Sequence, residues 1–167
     1  LAPLSWETFF PLTPPVDNSL ALLDSDLGRA ILNSLFVSLV TVAAGLVVCS
    51  TAAFGLSAFR FRGQGALFAV VILSFLIPFD AIAIPLASLF REWNLQNTFL
   101  GLILPGIGNG MAIFLLRTFF LAIPEELVEA GRLDGLGWWG IFTRIYLPLS
   151  RPALIGAGLM LFLFPWQ

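Results

Sequence analysis

No charged side chain occurs between Arg29 and Arg60, and the run from Ile31 to Phe59 exceeds the roughly 20 apolar residues that a helix needs to cross a bilayer core. A membrane-spanning helix follows. From Gly63 to Phe90 the only charge is Asp80, and from Trp93 to Leu116 there is none. Beyond Arg151 the chain is uncharged to Gln167, which at about 1.5 Å per helical residue just suffices to cross if Pro148 starts the helix. Spans are therefore predicted at about 31–59, 64–90, 97–121 and 148–166, with a loop over about 122–147. With 59% hydrophobic and 11% charged residues, the chain reads as all-α, a polytopic transmembrane helical bundle.

The arginines orient it. Arg60, Arg62, Arg117, Arg132, Arg144 and Arg151 fall on one side and Arg29 and Arg91 on the other, so the first group is cytoplasmic. Residues 1–30, with Glu7, Asp17, Asp24 and Asp26 and the turn-rich Pro11 to Pro15, then form an extracytoplasmic segment. An outside start calls for an upstream helix or signal peptide. The chain has neither an initiator Met nor a basic n-region, so Leu1 is not expected to be the natural start.

Several chemistries are excluded by subtraction. Without His there is no Ser-His or Cys-His pair, and a metal site would need carboxylates alone. Asp80 has no second carboxylate inside a span. With no Lys there is no phosphate loop of the G-x-x-x-x-G-K-[ST] kind, so the chain is expected to bind no nucleotide and not to be an enzyme. A net charge of −2 with dispersed arginines argues against nucleic acid, and the single Cys49 builds no disulfide or metal framework.

The predicted cytoplasmic loop carries the distinctive chemistry. Pro124 suits the first position of a helix, and Glu125, Glu126 and Glu129 set negative charge near the positive end of its dipole. Ala130 and Gly131 are small residues beside Leu127 and Leu133, a surface that lets a partner approach closely, and Asp134-Gly135 reads as a helix stop and turn. A second short helix is expected from Trp138 through Phe142 to Ile145, with tryptophans suited to a membrane interface. On composition alone the loop is equally a plain polar connector.

The spacing Glu129-Ala130-Gly131, three residues, Gly135, nine residues, Ile145, one residue, Leu147-Pro148 resembles the EAA loop of the inner-membrane permease subunits of binding-protein-dependent ABC importers. Gly131 stands where that family usually has a second Ala, a small-for-small change that loosens the helix by roughly 1 kcal/mol. Asp134-Gly135, Phe142 and Ser150 to Ala153 are also similar to the pattern. Asn33-Ser34-Leu35, Phe59 to Gly63, Ile77 to Asp80, Ile84-Pro85-Leu86 and Phe114 to Arg117 resemble its sugar-importer branch, of the maltose-permease (MalG) kind.

The resemblance implies a MetI-like permease fold whose loop docks on a separate ATPase subunit. Glu129, Ala130, Gly131, Asp134, Gly135, Ile145, Leu147 and Pro148 would form that coupling element. It further implies a second permease subunit in a heterodimer, an extracytoplasmic solute-binding protein, and ATP with Mg on the ATPase. The setting would be a bacterial or archaeal inner membrane. The family usually has six spans, so the chain is expected to be truncated at both ends.

Pro78 and Pro85 each remove a backbone hydrogen bond from the second span, and Asp80 between them would cost about 2.5–3.5 kcal/mol facing lipid at the bilayer centre. Broken helices at membrane depth line cavities in transporters, so Pro78, Asp80 and Pro85 are candidates for the wall of the translocation path. Equally, Asp80 satisfies a neighbouring helix or reaches interfacial water. Asn109, in the Pro105 to Gly110 stretch, contacts a polar solute or supports packing through small residues, as Gly45, Ala52, Gly55, Gly156 and Gly158 are read to do. The phenylalanines read as lipid-facing or core residues without a site. An ATP-independent channel or carrier, or an inactive remnant, stays open as the other functional class, and the solute is not readable beyond a leaning to carbohydrate.

Overall fold

The computed structural model describes residues 26–166. The extracytoplasmic segment expected over 1–30 lies mostly outside the described residues. The chain divides into two units, 1–35 and 36–167. Of the first, the described part is the opening of helix α1 (Asp26–Ala58); all that follows concerns the second.

All regular structure among the described residues is helical. After α1 come α2 (Gln64–Leu76), α3 (Phe79–Glu92), α4 (Phe99–Ile107), α5 (Gly110–Leu121) and α6 (Glu125–Leu133). A bent pair closes the chain, α7 (Trp138–Leu149) and α8 (Arg151–Trp166). Leu27–Ala58 and Phe99–Leu121 are each long and apolar enough to cross a membrane alone. The second predicted span is instead an elbow, α2 and α3 meeting at 96°, and α7, in the predicted loop, meets α8 at a bend of 82°.

The first elbow has a local cause. Pro78 supplies no N–H and pushes the preceding Ile77 into the extended region, at ψ 119°, so α2 stops. Pro78 then serves as the cap of α3, where an N–H is not needed. Pro85, expected to break the span a second time, lies inside α3, which continues through it. Thirteen and fourteen residues make arms of about 20 Å each, so neither alone reaches across a core of about 30 Å. α8 begins at Arg151 rather than at Pro148, which belongs to the last turn of α7.

The core is a seam of residues four apart: Cys49 and Ala53 on α1, Ala112, Leu116 and Phe120 on α5, Ala153, Ala157 and Leu161 on α8. Between apolar helices in lipid there is little hydrophobic drive, so association depends on close backbone approach through small residues. The structure uses three such places. A methyl added at Gly45 would stand 2.9 Å from Leu161, at Gly106 2.6 Å from Thr41, and at Gly110 2.7 Å from the Val71 carbonyl. Gly55 and Gly108 have nothing within 4 Å and do not act this way.

Where α4 meets α5 the helix is interrupted at Gly108 and Asn109, and the freed groups find partners. Asn109 Oδ1 accepts from the Ala112 N–H at 2.9 Å and caps α5. The Cys49 thiol lies 3.5 Å from the Ile107 carbonyl and 3.6 Å from that of Asn109. The end of α1 is capped in turn: the orphan Leu56 carbonyl accepts from Arg117 Nε at 3.0 Å and Gln64 Nε2 at 2.7 Å, a cation at the negative end of the helix. The Arg117 guanidinium also covers the Phe68 ring at 3.9 Å, so one side chain joins α1, α2 and α5.

Candidate functional site

The loop between α5 and α8 is two helices folded against the ends of α1, α2 and α5. α6 starts one residue later than the sequence suggests: Pro124 is its cap and Glu125 and Glu126 fill its first turn. It stops as expected. Gly135 adopts φ +81°, where an L side chain is strained, and the turn closes with Gly135 N–H to Arg132 O at 3.0 Å and Leu136 N–H to Gly131 O at 2.9 Å. These two bonds are the Schellman arrangement that satisfies the last carbonyls of a helix.

The eight loop candidates divide into two sets. Glu129, Ala130, Asp134 and Gly135 are exposed, on α6 and its turn. Gly131 is buried, and Ile145, Leu147 and Pro148 are half-buried, so these hold the loop together rather than offering a surface. Gly131 permits the contact: a methyl there would come within 2.8 Å of Ile145 Cδ1 and 3.4 Å of Leu136 Cδ1. Among the exposed residues stands Leu133, 90% accessible, with Trp139 at 69%. A leucine so exposed beside charged residues is the loop's most open apolar group. The sequence reading set Leu133 beside Ala130 and Gly131 on a surface open to a partner; Leu133 is exposed there, whereas Gly131 is buried.

α7 contains a π turn, Phe142–Tyr146, directly before Pro148. The missing N–H and the ring of Pro148 forbid the regular ladder there, and a widened turn relieves both. Its first and last residues, Phe142 and Tyr146, each bring a ring within 4.9 Å of Phe54 on α1. Tyr146 also meets Phe120 of α5 edge-on at 5.2 Å, and Trp138 lies tilted against Phe59 at 4.6 Å. Such pairs contribute about 0.5–1.5 kcal/mol each beyond the area they bury. The Arg60–Glu125 ion pair, at 3.9 Å with side chains 94% and 86% exposed, is screened by water and adds little. The loop is thus fixed to the bundle by rings together with aliphatic contacts of Ile141, Val128 and Leu147. Sequence reasoning gave these phenylalanines no role beyond packing.

Beneath α6 a polar recess of about 430 Å³ is walled by Arg60, Arg117, Arg132, Glu125, Glu129 and Tyr146, among others. The Arg132 guanidinium is not loose in it, lying 4.0 Å over the Trp138 ring. Burial pushes the Tyr146 phenol up, and the nearby Glu125 carboxylate adds to this by disfavouring a second negative charge.

The path candidates also divide. A cavity of about 650 Å³ opens between the α2–α3 elbow, the α4–α5 break and the end of α8, lined by Pro78 and Asn109 with Ser74, Phe79, Met160 and Phe164. Asp80 and Pro85 do not line it. Asp80 is exposed in the first turn of α3, where a carboxylate meets the positive end of the helix dipole. Of its polar wall, Ser74 Oγ donates to the Val71 carbonyl at 2.7 Å, and the Asn109 oxygen is used in capping.

Residues 45–167 match the family model described as binding-protein-dependent transport system inner membrane component. The chain is 35% identical over 135 residues to the arabinooligosaccharides transport system permease protein AraQ of Halalkalibacterium halodurans, an alignment covering 81% of this chain and 48% of that protein. It is 36% identical over 135 residues to the lactose transport system permease protein LacG of Rhizobium radiobacter, with 81% and 50% covered. Its fold matches a chain of a bacterial ABC transporter involved in the import of the acidic polysaccharide alginate, with TM-score 0.72 and 26% identity over 86% of this chain and 55% of that one. The chain spans about half the length of the curated relatives it matches.

Proposed function

The chain belongs to the family of binding-protein-dependent transport system inner membrane components, and from that premise we propose that it is the membrane-spanning and coupling part of a carbohydrate importer's permease subunit. The observation that carries this reading is the loop: α6 leaves Ala130 and Leu133 exposed while Gly131 locks it onto α7. A helix held on one side and bare on the other is built to be gripped and moved. The gripping partner is a separate ATPase subunit, which holds ATP and Mg; this chain binds neither. Movement of the docked loop rocks the attached helices and alternates access to a site beside the cavity of Pro78 and Asn109.

A second permease subunit completes the path as a heterodimer, and an extracytoplasmic solute-binding protein delivers the solute, as the words binding-protein-dependent in the family's description suggest. The relatives' names, arabinooligosaccharides and lactose, support a sugar or oligosaccharide as that solute. The loop at 122–147 faces the cytoplasm, consistent with six arginines on its side of the membrane.

Co-purification of the full gene product from membranes tests the reading. An ATPase subunit is expected with the native protein and is expected to be lost with Gly135→Asp, which sets a charged side chain at a turn that favours glycine, with open space around it. No ATPase in either sample would sink the importer reading in favour of a carrier or an inactive remnant.

A further inference from the structure

We infer that Phe54 is the positioning residue through which movement of the docked loop reaches the membrane-spanning helices, an inference that rests on the importer reading above. Four kinds of link join α6 and α7 to the bundle. The chain connections at Ala122 to Pro124 and at Ser150 transmit a pull but leave rotation free. The Arg60–Glu125 pair is exposed on both sides and cannot hold an angle. Aliphatic side chains such as Ile141, Val128 and Leu147 pack on the core without the directional preference of rings, and the fourth link is the ring cluster, with Phe54 at its centre.

Phe54 is 8% exposed and meets four rings: Phe142 at 4.9 Å, Tyr146 at 4.9 Å, Phe59 at 5.7 Å and Trp138 at 6.4 Å. Three of the four belong to α7. The contacts with Tyr146, Phe59 and Trp138 are edge-to-face, an arrangement that depends on direction as well as distance. When α7 turns, the rings at both ends of its π turn must carry Phe54 with them or repack. Close packing makes such a joint switch between discrete arrangements rather than slide. On the outer side the chain of contact is continuous: α6 reaches α7 through Gly131 and Ile145, one residue from Tyr146. The route from the docking surface to α1 is therefore Gly131, Ile145, the π turn, Phe54.

The test uses the full permease complex in proteoliposomes, with Phe54→Leu to remove the ring while keeping an apolar side chain. Leu161→Val is the control, since Leu161 is also buried but packs on Gly45, away from the loop. Phe54→Leu is expected to keep its ATPase subunit and its ATP hydrolysis while solute uptake per ATP falls roughly fivefold. Leu161→Val keeps the native ratio. An unchanged ratio in Phe54→Leu overturns the inference, as does an equal fall in both variants, which would mean general loosening. Where Phe54→Leu does not accumulate, Phe142→Leu is read in its place with the same outcomes, and failure of both to assemble overturns it too, because the rings would then serve the fold alone. A native complex without an ATPase fails the importer reading itself; an ATPase-bearing complex without uncoupling fails only this inference.

Discussion

Gly131 and Ile145 approach so closely that a methyl group on the glycine would stand 2.8 Å from Ile145 Cδ1, and this contact fixes α6 against α7. The obstructing atom is the far end of a flexible side chain, so a small addition can be accommodated and a branched one cannot. Gly131→Ala gains roughly 1 kcal/mol of helix propensity and gives up about 0.5–1.5 kcal/mol in an off-rotamer Ile145. Its melting temperature in detergent is expected to stay near the native value. Gly131→Val is expected to cost about 1–3 kcal/mol by overpacking and to release the ATPase subunit. A native melting curve for Gly131→Val would contradict the contact.

Leu133 separates docking from folding. At 90% exposure it contributes nothing to the core, so Leu133→Ala should leave stability within about 0.5 kcal/mol. If α6 docks through its outer face, the same change lowers ATPase retention, and Leu133→Glu abolishes it by burying an unpaired charge. Thermal melts and co-purification on the same preparations check both halves. Full retention with Leu133→Glu would move the docking surface elsewhere.

Tyr146 is this chain's only tyrosine, so tyrosinate absorbance reports it directly. Burial first, and Glu125 second, raise its phenol above the usual value of about 10. A raised folded-state value means the neutral phenol is favoured in the folded protein. The corresponding stability is complete below the ordinary phenol value and is lost as pH rises through the folded one. An alkaline titration should show late ionisation, and Glu125→Gln should bring it earlier without restoring the ordinary value. Ionisation at the ordinary value in the folded protein would contradict the buried placement.

Asn109 and Asp80 are expected to behave oppositely. Asn109→Ala removes the cap of α5 and should cost about 0.5–2 kcal/mol, while Asn109→Ser keeps an uncharged acceptor and most of that stability. Asp80 lies off the cavity wall, so Asp80→Asn should leave uptake and basal ATP hydrolysis unchanged. Lost uptake in Asp80→Asn, with assembly intact, would place the carboxylate on the path.

Much of the loop was legible. Gly135 ends α6 because a left-handed residue is needed there, and Asp134-Gly135 announces one. Pro78 stops α2 for an equally local reason. What the spacing of Glu129 to Pro148 could not reveal is that half of those residues face inward. A motif records which positions matter together, not whether each touches a partner or the body of the same chain. Ile145 and Leu147 are in the pattern for packing; Leu133, open to a partner, stands between its fixed positions.

The sequence by itself determined which stretches suit lipid, which loop is distinctive, and where helices stop. Each is a property of single residues or near neighbours: apolar burial accumulates along the run, and a proline or a left-handed glycine acts on its own turn. Only the tertiary structure decided the angle to which each elbow opens, the cavity that joins Pro78 to Asn109 and omits Asp80, and the ring cluster around Phe54. These depend on side chains far apart in the chain meeting at particular angles. A phenylalanine in lipid and a phenylalanine in a joint have the same composition and differ only in what stands opposite them.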